Sequence, residues 1–236
     1  MKKAITLLSL LIWVSCGFFT LKAQHLNKLT QKEVDEGWQL LFDGKSMDQW
    51  RCYKMDKVQG WAIEEHAMKA LGLPHGQGGD IITREKFADF ELYLEWKIGE
   101  RSNSGIFFHV IEADQYPTVY MSGPEYQLLD DVGFPESAPV HNSAANYDVH
   151  APKLAQVKAL DEWNSAKIVV KGPKVEHYLN GRKVVEYERW TPEWTEMKNN
   201  SKWKNAEGYG KYKEGHIALQ DHGGTCMFRN IKIRKL

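Results

Sequence analysis

The sequence predicts an all-β sandwich of the jelly-roll type. Three observations carry that expectation. Segments of period-2 alternation recur between Gly, Pro and Asn turn residues, and helical signal is confined to two short stretches. Aromatic residues make up 12% of the 236-residue chain, nine of them Trp, which suits an interior between two sheets.

The chain opens with Lys2-Lys3 and an uncharged apolar run from Ala4 to Thr20, closed by Leu21-Lys22-Ala23. That is the layout of a secretory signal peptide, too short and wrongly flanked for a stable membrane span. Residues 1–23 are expected to leave by cleavage after Ala23, with residues 24–236 forming one domain. Val14-Ser15 before Cys16 also offers a lipid-bearing cysteine, but Trp13 stands where such a signal prefers an aliphatic residue. Cleavage removes Lys2, Lys3 and Lys22, so 28 basic residues face 31 acidic ones, a net charge of −3. Such a chain has no electrostatic footprint for nucleic acid, and no membrane contact beyond export is expected.

The remaining elements follow in order. Gln31 to Glu36 and Pro192 to Lys204 are the candidate short helices. Phe90 to Ile98 alternates almost perfectly, with Phe90, Leu92, Leu94, Trp96 and Ile98 facing one way. On its other side, Glu95 and Lys97 are expected to form a surface ion pair. Gly105 to Ile111 and Tyr126 to Leu129 are further strands. Ala166 to Lys171 and Lys174 to Leu179 are joined at Gly172-Pro173, and Asn180-Gly181 makes a tight hairpin into Lys183 to Tyr187. His216 to Asp221 and Met227 to Ile233 complete the strands. Asp131 to Leu160 and Thr191 to Gly215 are long loops that could wall a groove across one sheet face. Cys52 and Cys226 can pair in an exported protein or stay as buried thiols, and the sequence leaves both open.

Alternation also assigns faces. Tyr126 and Leu128 suit the core, which places Glu125 and Gln127 on the opposite face. Ile217 and Leu219 suit the core, which places His216, Gln220 and His222 outward around the small Ala218. Ile106 and Phe108 do the same for Phe107 and His109. A sheet face carrying Glu, Gln and His with aromatic neighbours is suited to holding a sugar. No Gly-x-Ser-x-Gly elbow, phosphate loop or zinc spacing competes. His109, His141, His150 and His222 could bind a divalent metal with Glu125 or Asp130, although no local spacing supports it, so the metal is unknown and no cofactor is certain. Each of these polar residues is, taken singly, equally well read as a solvated sheet position.

Several blocks together resemble the 3-keto-disaccharide hydrolase family. They are Gly37-Trp38-Gln39-Leu40-Leu41-Phe42-Asp43-Gly44-Lys45-Ser46, Asn103-Ser104-Gly105-Ile106-Phe107-Phe108, Gly123-Pro124-Glu125-Tyr126-Gln127-Leu128-Leu129-Asp130 and Gly215-His216-Ile217-Ala218-Leu219-Gln220-Asp221-His222-Gly223. Phe228-Arg229-Asn230-Ile231 closes the series. The resemblance implies a concanavalin A-like jelly roll of two curved antiparallel sheets, with the site on the concave face. It also implies an exported protein, in the periplasm or at the surface of a Gram-negative cell, acting on glycosides oxidised to a ketone at carbon 3. His109 departs from the family pattern, which has Arg at that position.

A ketone at carbon 3 acidifies the hydrogen on carbon 2. Elimination across carbons 1 and 2 then gives a 2-hydroxy-3-keto-glucal, to which water adds. Such a site needs a base, an electrophile at the enolate oxygen and an acid for the leaving group. Glu125 is the expected base, or ligand of an electrophilic metal, with His222 or His109 as acid or enolate partner. Gln127, Asp130, Tyr147 and Gln220 would orient the substrate hydroxyls. Two other readings stand beside this one. A non-catalytic carbohydrate-binding module explains the same face without acid–base residues. Ordinary retaining hydrolysis needs two carboxylates about 5 Å apart, and Gln127 occupies the place of the second.

Overall fold

The structure, a computed structural model, describes residues 26–72 and 79–236. The expected signal peptide and Cys16 lie outside the described residues. Among the described residues, no helix is long and apolar enough to cross a membrane.

Two antiparallel sheets form the molecule. The larger contains β1 (Gln39–Leu40), β3 (Trp61–Glu64), β4 (Ala67–Ala70), β6 (Phe90–Ile98), β9 (Asn164–Lys171), β10 (Lys174–Leu179), β11 (Arg182–Glu188) and β13 (Cys226–Lys235). Its order is β11-β10-β9-β6-β13-β4-β3, with β1 also paired to β13. The smaller sheet runs β2 (Trp50–Cys52), β5 (Ile81–Thr83), β12 (His216–Leu219), β7 (Asn103–Val110) and β8 (Glu125–Leu129). Helix α1 (Gln31–Asp35) starts at a capping box between Thr30 and Glu33. Helix α2 (Pro192–Asn199) has Thr191 as N-cap and Pro192 in its first turn. It stops short of the expected Lys204, and a separate 3-10 turn covers Lys202–Asn205.

The alternating strands behave as their patterns require. In β6 every second residue from Phe90 to Ile98 is buried between the sheets, and Asn180 and Gly181 both take positive φ at the tight turn into β11. The exposed side of β6 departs from expectation. Glu95 pairs across the strand with Arg229 at 2.7 Å, and Lys97 lies over the Trp163 ring at 5.4 Å. Five short strands, β1 to β5, are too brief to show a period and have no counterpart in the sequence reading.

The core between the sheets holds Trp50, Trp96, Phe42, Phe90, Phe108, Tyr126 and Phe228, all essentially inaccessible. Trp50 remains satisfied there because its Nε1–H donates to Leu41 O at 2.7 Å. No disulfide joins Cys52 and Cys226. They belong to different sheets, and burial pushes the Cys226 thiol up to about 12.

Candidate active site

The outer face of the smaller sheet, turned away from the larger one, carries two rows of side chains that cross the strands. Strand register defines the first as Arg51, Ile82, Ala218, Phe107 and Glu125. Its centre is apolar, since Ile82, Phe107, Val110, Val119 and Ala218 pack together on this face. The second row lies two residues along each strand. Tyr53 N–H donates to Asp80 O, Gln220 N–H donates to Gly105 O, and Gly105 pairs with Gln127, so the row reads Tyr53, Asp80, Gln220, Gly105 and Gln127. It is polar except at Gly105.

Gly105 is a deliberate gap. A Cβ there would lie 2.5 Å from Glu125 Oε1, so the Glu125 side chain leans from its own row across the glycine. The carboxylate thus sits over the neighbouring strand β7, although its residue belongs to the edge strand β8. Glu125 is only 6% exposed, and burial pushes its carboxyl up to about 8. The Lys202 ammonium opposes that rise, and the Asp80 charge adds to it. Asp80, half-buried, is itself held up to about 7 by burial and accepts the Asp221 N–H through Oδ1 at 3.2 Å.

The two amides beside this carboxylate are buried with acceptors to spare. Gln127 is 2% and Gln220 8% exposed, and neither Oε1 has a partner among the described residues. Leaving such an oxygen unpaired costs about 1–3 kcal/mol, so the pair is better explained by a hydroxyl-rich ligand than by stability.

Two loops form the rim. Residues 144–147 run along the free edge of β8, where Ala144 N–H donates to Gln127 O, Gln127 N–H to Ala145 O and Tyr147 N–H to Glu125 O. Tyr147 is half-buried beside Glu125, its ring stacked on His141 at 4.6 Å, with Lys202 Nζ 3.9 Å from its centroid. Asp148 ties the loops together, taking His141 Nε2 on one oxygen and the Lys202 N–H on the other, each at 2.6 Å. Trp203 Nε1–H donates to Tyr147 O, and Tyr209 OH to Asn146 Oδ1. Desolvation lowers the Lys202 ammonium below the usual lysine range, and the Glu125 charge acts against that.

Glu125, Gln127, Gln220 and Tyr147 therefore come together. Two other residues expected in the site, His109 and Asp130, do not join them. His109 is turned away by a β-bulge. Between His216/Val110 and Ala218/Phe107, β7 places two residues against one on β12, and His109 takes φ +54. Val110 inherits the outer face, and His109, 1% exposed, packs edge-on to Phe90 and Phe108. Arg189 Nη1 donates to its Nδ1 at 2.9 Å, which leaves Nε2–H to donate to Ala88 O at 2.7 Å. Burial and then the Arg189 charge depress its titration to about 4, so it is a neutral structural residue.

Asp130 is buried, and both its carboxylate oxygens are engaged by backbone amides. One accepts Arg101 N–H at 2.8 Å and the other Gly133 N–H at 3.0 Å, organising the turn after β8. His222 is exposed on the turn beyond β12. The imidazoles do not gather with Glu125 or Asp130 either. His141 is held by Asp148, and His150 Nδ1 by Asn146 at 2.9 Å. Among the described residues, no group of three His, Cys, Asp or Glu could hold a metal ion.

Sequence reasoning missed Asp80 and Lys202. Asp80 precedes a three-residue strand with no readable alternation, and Lys202 lies in a loop without period. A depression of about 730 Å³ runs along β11 and α2, lined by Glu186, Tyr187 and Trp194 among others. Its exposed acids Glu186 and Glu188 pair with Lys183 and Lys174, while the buried Tyr187 hydroxyl and Trp194 Nε1 on its lining have no hydrogen-bond partner among the described residues.

A family model, the 3-keto-alpha-glucoside-1,2-lyase-like domain, matches residues 37–234. The chain belongs to this family. A Bacteroides thetaiotaomicron relative named 3-keto-disaccharide hydrolase is 35% identical over 92% of this chain and 84% of its own length. A solved structure of a Parabacteroides distasonis protein, assigned to the glycosyl hydrolases, superposes with TM-score 0.83 at 33% identity, covering 89% of this chain and 99% of that one. A carbohydrate binding module from Bacillus subtilis shares the fold alone, with TM-score 0.51 at 14% identity over 79% of this chain and 96% of its own. The family and these relatives make this a carbohydrate-active protein on a jelly-roll sandwich. Both rows lie within the matched segment.

Proposed function

We propose that the protein is an exported enzyme that cleaves 3-keto-glycosides by elimination across carbons 1 and 2, and hydrates the resulting 2-hydroxy-3-keto-glucal. The observation that carries this reading is the buried Glu125 carboxylate, leaning over Gly105 between two amide oxygens that lack partners. A carboxylate taken out of water is a stronger base than one in solvent, and the hydrogen on carbon 2 of a 3-keto sugar is acidic enough for it. Gln127 and Gln220 would hold ring hydroxyls, Tyr147 would stack on the ring, and the Lys202 ammonium would offset charge developing on the enolate oxygen.

Retaining hydrolysis of an ordinary glycoside fits less well. Asp80 supplies a second carboxylate, but it stands two strands from Gly105 with Gln220 between, and the position beside Glu125 on its own strand is taken by the amide of Gln127.

The test is incubation of the purified protein with a plain disaccharide and with its 3-keto derivative, following released sugar and the unsaturated intermediate. Turnover of the keto substrate alone is expected. Cleavage of the plain disaccharide, or binding of either sugar without turnover, would refute the proposal, the latter in favour of a binding module.

A further inference from the structure

Glu125 can take a proton from carbon 2, but the elimination also needs a proton delivered to the oxygen leaving carbon 1. Of the histidines expected for that task, His109 is locked in the bulge, and His222 is exposed two residues beyond Gln220. Lys202 faces Glu125 from the loop side of β8, where it meets the ring of Tyr147. The opposite side of the polar row ends in Asp80, with Gln220 between it and the Gly105 gap. The Gly105 and Asp80 backbone positions lie two strand spacings apart, about 10 Å, and the Asp80 charge is felt at Glu125 across that span.

We propose that Asp80 is a second catalytic residue, the acid that protonates the leaving oxygen on carbon 1 and then the base that activates water. The assignment rests on the functional reading above.

Each step balances. In elimination, the carbon 2 proton passes to Glu125 and its bonding pair forms the enolate. Collapse of the enolate restores the ketone and makes the carbon 1–carbon 2 double bond. The carbon 1–oxygen pair departs on the aglycone oxygen, which takes the Asp80 proton. The carboxyls now hold their protons in exchanged positions. In hydration, Asp80 takes a proton from water as hydroxyl bonds to carbon 1, and Glu125 returns its proton to carbon 2. The pair is reset, and the net reaction is hydrolysis. Burial pushes both carboxyls upward, Glu125 to about 8 and Asp80 to about 7, so one proton is shared between them and the elimination starts from the minor form in which Asp80 holds it and Glu125 is ionised.

The experiment compares wild type, Asp80→Asn and Glu125→Gln on a 3-keto-disaccharide and on a 4-nitrophenyl 3-keto-glucoside, whose phenolate departs without help. Asp80→Asn keeps the Oδ1 acceptor for Asp221 N–H, and circular dichroism with a melting curve checks its fold; Asp80→Ser is the second variant should the first unfold. Expected is a loss of about 10²–10⁴-fold for Asp80→Asn on the disaccharide, with less than about tenfold on the nitrophenyl substrate. The folded variant should still exchange the carbon 2 hydrogen for deuterium in D2O, whereas Glu125→Gln should lose both activities and the exchange. Equal losses on both substrates, no loss on either, or abolished exchange in folded Asp80→Asn would overturn the role of Asp80. A wild-type protein inert toward both keto substrates would instead overturn the functional reading beneath it.

Discussion

Gly105→Ala separates the position of the Glu125 carboxylate from the stability of the sheet. Gly105 has no positive φ, so alanine fits its backbone and should recover about 0.5–1 kcal/mol of the strand stability that glycine forgoes. The added Cβ would meet Glu125 Oε1 at 2.5 Å and Phe107 Cε2 at 3.0 Å. The first is the far end of a flexible side chain and can swing aside by about 1 Å; the ring need give only a few tenths of an ångström. Overpacking of this kind costs about 1–3 kcal/mol, so the net change in stability should stay within about 2 kcal/mol. A catalytic group displaced by about 1 Å can cost about 10²-fold in rate, equivalent to about 2.7 kcal/mol at the transition state. Urea unfolding and kcat/KM on a 3-keto-disaccharide measure the two effects. Activity within about threefold of wild type in a normally stable variant would refute the placement of Glu125 as base.

Glu125 also makes stability depend on pH. Its folded value of about 8 lies above the ordinary 4.5, so between those limits the folded state holds a proton that the unfolded state has lost, and stability falls as pH rises through the window. Lys202, Asp80, Tyr147 and Tyr209 are the charged and titratable groups around it, and Asp80 adds a contribution of the same sign up to about 7. Glu125→Gln should therefore gain on wild type in urea unfolding between pH 5 and pH 8.5; a constant difference would contradict the burial argument. Gln127→Leu removes an amide oxygen without a partner, so stability should hold or rise by about 1 kcal/mol while KM rises at least tenfold. A clear loss of stability with unchanged KM would show that the amide serves the fold. Arg189→Met strips donors from His109 Nδ1, Tyr212 O and Gly172 O, and should cost about 3–5 kcal/mol in thermal unfolding, with kcat of the folded fraction near wild type; a specific loss of kcat would return this network to the site.

The floor of the site was legible in the sequence because strands translate alternation directly into faces. Tyr126 and Leu128 in β8, and Ile217 and Leu219 in β12, point inward as read, which carries Glu125, Gln127 and Gln220 outward. The same rule failed at His109, where one extra residue changes the parity of β7 and no local pattern announces it. Asp130 shares the parity of Tyr126 and Leu128, so alternation did not place it beside Glu125, and its oxygens are engaged by the Gly133 amide of its own turn and the Arg101 amide between β6 and β7. Asp80 and Lys202 were beyond the reach of alternation. One owes its place to pairing between β5 and β12, and the other to contacts across more than fifty residues with Tyr147 and Asp148.

Those last contacts bear on how the site opens. Asp148 belongs to one loop and spends one oxygen within it and the other on the second loop, while Trp203 and Tyr209 reach back to residues 146 and 147. Residues 144–147 in turn are bonded to β8, the strand that bears Glu125. Neither loop can fluctuate outward without breaking bonds to the other, so the two behave as one cooperative unit whose opening free energy is shared. On the proposed function, admission of substrate and release of product on that side would be coupled to this shared opening, with Lys202 and Tyr147 moving together.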